Sequence, residues 1–202
     1  YAYGSNKNLP MDYRGGKDRL EFDGNPLKLN DDDNMPIELS KTWDDIFPRR
    51  QAKVGGYYYK AKVDLTNKEK QNFPNGIFRI EDKSINFRLD LDSDNGGVLQ
   101  GGTTPKVSML DGPCAGLTFD IKLYDHENFW IYLIQYEDEA GNKYPNPTHP
   151  IVAGNLYTLT DIVLPKVYRD EAELELKAAA TAFIQEYSVL KYPYTAILHP
   201  KY

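Results

Sequence analysis

The chain has 202 residues and a formal net charge of -6, with Asp+Glu 30 against Lys+Arg 24, a balance that argues against a nucleic-acid partner, which calls for a basic face. The single Cys114 excludes an internal disulfide and a cysteine-rich zinc site, and no stretch has the length and apolarity of a membrane span, so no membrane insertion is expected. Aromatics make up 13%, with 16 Tyr and 8 Phe, which leans the fold toward strands.

The first residue is Tyr1, from which we expect the chain to begin inside a longer protein or after a processed segment. The opening YAYGSNKNLP has no apolar run of signal-peptide type. Residues 1–56 read as an extended, loop-rich segment whose short strands, about Phe22, Leu27 and Leu29, pack on a main domain over 57–202. The acidic run Asp31–Asp33 is a solvated loop. Residues 37–47 alternate loosely and end at Pro48. From Gly55, YYYKAKVDL alternates as a strand does, and 66–76 read as a loop. Ile77, Phe78 and Ile80 mark the next strand. Ile85, Phe87, Leu89 and Leu91 then share one face, with Asn86, Arg88, Asp90 and Asp92 on the other, as in a half-buried strand.

Residues 107–164 read as an antiparallel meander. Strands over Leu117–Tyr124 and Phe129–Tyr136 join through Asp125–Asn128, and strands at Leu156–Leu159 and Ile162–Leu164 complete the set. After Pro165, DEAELELKAAATAFIQEY predicts a helix, placed at about 166–187, with Asp170 and Glu173 as a capping box. Leu176, Ala180, Phe183, Ile184 and Tyr187 fall on one apolar face, expected to pack on the sheet, with docking to another subunit as the alternative. A final edge strand is expected in LKYPYTAILHP. The predicted class is mainly β, an antiparallel sandwich or barrel-like meander with one C-terminal α-helix, with α+β as the alternative.

The chemistry-bearing residues are few. Gly112-Pro113-Cys114-Ala115-Gly116 spells a nucleophile elbow with Cys for Ser, but a strand follows where that motif needs a helix. His126 and His149 lie downstream as candidate bases. Asp90, Asp92 and Asp94 have the spacing of the first half of a calcium loop, although Asn95 and Gly101 stand where an EF-hand needs Gly and Glu. Alternating acids on the wet face of a strand account for Asp90 and Asp92 equally well. His126, His149 and His199 form no zinc-type pair. No phosphate loop or dinucleotide fingerprint is present, so no cofactor and no catalysis are expected. The binding candidates are aromatic: Trp43 and the run Tyr57-Tyr58-Tyr59, whose alternating directions leave at least one ring for solvent, a partner or a sugar.

Several segments resemble the tail-hub proteins of long-tailed phages and prophages, those related to the prophage tail endopeptidase family in Bacteroides-type bacteria. They are Tyr1-Ala2-Tyr3-Gly4 leading into Asn8-Leu9-Pro10, then Tyr13-Arg14; Thr42 to Arg49; Leu110 to Phe119; and Ala153 to Tyr157 with Ile162-Val163-Leu164-Pro165, Tyr168 and Glu171-Ala172-Glu173. Asn155 stands where the family has Asp, and Trp43 where it has Phe. The resemblance implies a structural segment of a tail hub or baseplate in the virion tail, made in the bacterial cytoplasm. Its implied partners are other tail proteins, with a homotrimer in the full-length protein and any lytic domain outside these residues. A carbohydrate-binding β-sandwich is the alternative, and a peptidoglycan hydrolase using Cys114 is a third reading.

Overall fold

The computed structural model describes residues 1–24, 27 and 39–188. In chain order the strands are β1 (Ala2–Gly4), β2 (Lys41–Trp43), β3 (Gln51–Lys53), β4 (Gly56–Ala61), β5 (Gly76–Glu81), β6 (Arg88–Asp92), β7 (Gly97–Leu99), β8 (Lys106–Met109), β9 (Thr118–Asp125), β10 (Trp130–Leu133), β11 (Tyr136–Glu137), β12 (Lys143–Tyr144) and β13 (Leu156–Thr160). The helices are α1 (Asn67–Asn72) and α2 (Lys166–Ser188). The expected strand about Leu29, the run Asp31–Asp33, and the expected final strand with His199 lie outside the described residues.

The fold is mainly β, with one long C-terminal helix. Seven strands form an antiparallel sheet in the order β3-β13-β8-β9-β10-β5-β4. Its two outer strands are consecutive in sequence, separated only by Val54 and Gly55. The Val54 N–H donates to the Asn155 carbonyl (2.8 Å) and the Gly55 N–H to that of Glu81 (2.7 Å). One bent stretch of chain therefore bonds the β13 side and then the β5 side, and the sheet curls and closes as a barrel. Glycine eases the bend, because a Cβ on Gly55 would crowd the Glu81 oxygen at 3.1 Å. β9 turns the opposite corner. Its first half pairs with β8 and its second with β10, and the register steps at Lys122, the extra residue of a β-bulge.

Alternation fills the barrel. Phe78, Ile80, Val107, Phe119, Ile131, Tyr157 and Leu159 all lie in one buried cluster. Ile85, Phe87 and Leu89 join it as predicted. However, β6 covers only the end of the expected 85–92 strand and pairs in parallel with β7. Gly97 permits that approach, since a Cβ there would fall 2.0 Å from the Leu91 oxygen.

Several expectations are corrected. Residues 66–76 contain α1, opened by a capping box in which the Thr66 hydroxyl accepts from the Glu69 amide and the Glu69 carboxylate accepts from the Thr66 amide. α2 begins at Lys166, where it was placed, so Asp170 is not its N-cap and the expected Asp170–Glu173 capping box does not form. Asp170 then lies inside the helix, paired with Lys166 at 2.6 Å. The apolar face of α2 rests on the small parallel sheet of β1 and β2 and its neighbouring loops, not on the seven-stranded sheet. Ala172, Leu176 and Ala180 pack with Ala2, Leu9, Tyr13, Leu20, Phe22 and Ile46 in a second cluster. The barrel sheet itself begins at β3, ahead of the expected boundary at 57. The segment 107–164 is not a simple meander either, since β13 returns to lie between β3 and β8.

Asn8 clasps this N-terminal layer to the barrel. It is buried and left-handed (φ 59), a conformation Asn tolerates better than most residues. Its amide donates to the Pro48 carbonyl (2.8 Å) and the Leu159 carbonyl (3.0 Å) and accepts from the Ile162 N–H (3.4 Å). The Tyr13 hydroxyl donates to Glu173 (2.8 Å), Arg14 pairs with the same carboxylate (2.6 Å), and Arg49 pairs with Glu175 (2.8 Å). The motif residues Asn8, Tyr13, Arg14, Arg49 and Glu173 thus join the N-terminal layer, the helix and the barrel.

Candidate functional site

The three tyrosines of β4 have three separate environments. Tyr57 faces inward against the main core, and burial pushes its phenol pKa well up. Tyr59 lies against the buried Phe78, with ring centroids 5.0 Å apart, yet stays 46% exposed. Tyr58 faces outward. Trp43 is not a free surface ring: it packs edge-on against Phe183 of α2 at 5.9 Å, with the Lys41 ammonium 4.9 Å from its centroid.

Register builds a cross-strand row on the outside of the barrel. Tyr58 stands opposite Arg79, Arg79 opposite Tyr132, and Tyr132 opposite Leu123. Partners directly opposite in an antiparallel ladder share a face, so these four side chains project together. The Arg79 guanidinium lies 4.5 Å from the Tyr58 centroid and 4.3 Å from that of Trp130. It donates to the Tyr132 hydroxyl at 2.7 Å. Gly56, two residues before Tyr58, leaves space beside Trp130; its Cβ would lie 3.9 Å from that ring.

α1 extends the row. Lys60 of β4 pairs with Glu69 at 2.8 Å, and Lys60 followed by the Thr66 amide holds the Glu69 carboxyl down at about 2. The helix so fixed delivers Phe73 onto Tyr132, stacked at 5.3 Å and 24°. The bulged Lys122 lies over Phe73 at 5.0 Å and donates to the Asn72 carbonyl. Leu123, Ile134 and Tyr136, at 50%, 46% and 39% exposure, continue the apolar surface. It is a platform of aromatic rings around one guanidinium, suited to gripping a protein surface or a flat sugar face.

A second polar constellation lies inside. Arg50 and Asp82, both buried, pair at 2.8 Å. Arg50 also donates to the Ser84 hydroxyl (2.6 Å), while the Tyr157 hydroxyl and the Ser84 amide and hydroxyl donate to Asp82. Burial pushes the Asp82 pKa up, but these donors and Arg50 outweigh it, so the net direction is down. Burial raises the Tyr157 phenol pKa strongly. With both charges paired and closed off by core side chains, this group braces the barrel.

The other candidates are dispersed. Cys114 is buried, burial raises its pKa, and its thiol donates to the main-chain oxygen of His149 at 3.3 Å. The His149 ring contacts Thr148 at 3.1 Å. Asp90 is engaged by Arg88 (2.7 Å), and Asp92 accepts from the Asn95 amide (2.9 Å), capping a 3-10 turn. Among the described residues no group of three or more His, Cys, Asp or Glu side chains is placed to hold a metal ion.

Arg79, Trp130, Tyr132 and Phe73 were not singled out from sequence. Their one readable signal is the outward alternation Trp130, Tyr132, Ile134, Tyr136, and their meeting with Tyr58 depends on register. No family model, no curated protein and no solved structure matches the chain.

Proposed function

We propose that the chain is a structural segment of a phage or prophage tail hub or baseplate that acts through protein–protein assembly. The observation that carries this reading is the outward row Tyr58–Arg79–Tyr132–Leu123 with Trp130 beside it. Tyr, Trp and Arg in a half-buried cluster make up the composition of interface hot spots, and exposed apolar surface of this kind marks interaction sites. The order of the tail-hub-like segments along the chain supports the specific assembly. Their residues Asn8, Tyr13, Arg14, Arg49 and Glu173 have architectural contacts, as a scaffold requires. The partners are other tail or baseplate proteins and, in the full-length protein, two further copies. The test is immunogold electron microscopy of purified particles with antibody to this chain. Label at the tail end distal to the capsid is expected; label elsewhere, or particles lacking the chain, overturns the reading.

A carbohydrate-binding role is the second reading, favoured by the partly exposed rings of Tyr58 and Trp130. It predicts binding on a glycan array that Trp130→Ala abolishes; an array without signal removes it.

A further inference from the structure

We infer that the aromatic row is the docking surface for α2 of a second copy of this chain, so that copies associate head to tail. This deepens the assembly reading and rests on it. It starts from two charges left unmatched. Arg79 has its hydrogen bond to the Tyr132 hydroxyl and no carboxylate partner among the described residues. A guanidinium held among rings with no carboxylate beside it suits a carboxylate brought by a partner. The outer side of α2 supplies the match. Ala172, Leu176 and Ala180 face inward, which turns Val167 and Leu174 out, at 56% and 66% exposure. Glu171 lies between them, four residues after one and three before the other, the spacing of neighbours on one helical face. It is exposed and makes no ion pair among the described residues. A carboxylate flanked by two aliphatic side chains thus faces a guanidinium flanked by rings and Leu123.

The architecture agrees with the chemistry. α2 packs on the N-terminal layer, which is clasped to β13 through Asn8, whereas the row belongs to β4, β5, β10 and β9. The two surfaces lie on different elements, and in the head-to-tail arrangement inferred here the contact between copies is heterologous. A contact of that type closes into a ring when its rotation permits. An apolar sheet face covered by a helix is also an ordinary layer arrangement.

Sedimentation velocity of the 202-residue chain, at concentrations up to about 0.1 mM to capture weak contacts, tests this. The wild type should self-associate. Arg79→Glu and Glu171→Arg should each sediment as monomers with unchanged circular dichroism, and the double variant should associate again because the pair is restored in reverse. A wild type monomeric throughout overturns the inference. So does a double variant that folds yet stays monomeric. If either single variant fails to fold, Leu174→Lys, at an exposed position, takes its place and must abolish association. Tail labelling in the particle with a monomeric isolated chain would sink this inference and leave the assembly reading standing.

Discussion

Arg50 and Arg79 belong to the same barrel and show how differently its two sides use a cation. Inside, Arg50 is buried with Asp82, Ser84 and Tyr157, and its charge is answered within the chain. Outside, Arg79 is wedged among Tyr58, Trp130 and Tyr132 and pairs with no acid among the described residues. A buried charge must be neutralised for the fold to form. A half-exposed guanidinium on an aromatic platform can wait for a partner to answer it. Fold and contact are therefore written in separate residues, and substitutions should separate them.

The largest effect is expected inside. Asp82→Ala leaves the Arg50 charge buried and unanswered, at a cost of about 3–5 kcal/mol, read as a lowered urea midpoint with an unchanged slope. A loss below about 1 kcal/mol would mean the pair is braced by something else. Asn8→Ala comes next. It strips the Pro48 and Leu159 carbonyls of a buried donor and should cost about 1–3 kcal/mol, with the N-terminal layer gaining amide exchange before the barrel does.

Acid should discriminate the same two sides. The Asp82 pKa is held below its ordinary value, so its stabilisation is fully present above the unfolded carboxylate value of about 3.9 and is lost as pH falls through the lower folded value. Thermal stability of the wild type should fall on acidification below about pH 4, and Asp82→Asn should flatten part of that slope. Equal slopes in the two proteins would remove Asp82 from the account. The smallest effect on folding is expected outside. Tyr132→Ala, which leaves Arg79 without its hydroxyl acceptor, should change stability by about 1 kcal/mol or less while abolishing association. A large loss of stability would make the row part of the core.

Much of the barrel was legible because alternation records burial directly. Ile85, Phe87 and Leu89 face inward as read, and so do Phe119 and Ile121. α1 was read as loop: Thr66 and Glu69 spell its capping box, but a helix of six residues shows no apolar periodicity to set it apart. Closure was not legible. It depends on a bend at Val54–Gly55 and on β13 pairing across a long separation in sequence, and alternation carries no partner information. The site suffered from the same gap. The run Tyr57–Tyr59 drew attention as a cluster, yet only Tyr58 joins the outward row, and its neighbours Arg79 and Tyr132 come from strands whose register sequence does not encode. Trp43 stood out by type alone, and its ring is taken up by Phe183.

Hydroxyl-radical footprinting of the chain, free and within purified particles, tests the central claim most directly, because it reads the ring side chains themselves. Tyr58, Trp130 and Tyr132 should be labelled in the free chain and shielded in the assembly, with Tyr157 unlabelled in both. Equal labelling of the three rings in the two states would contradict the assignment of this face to assembly.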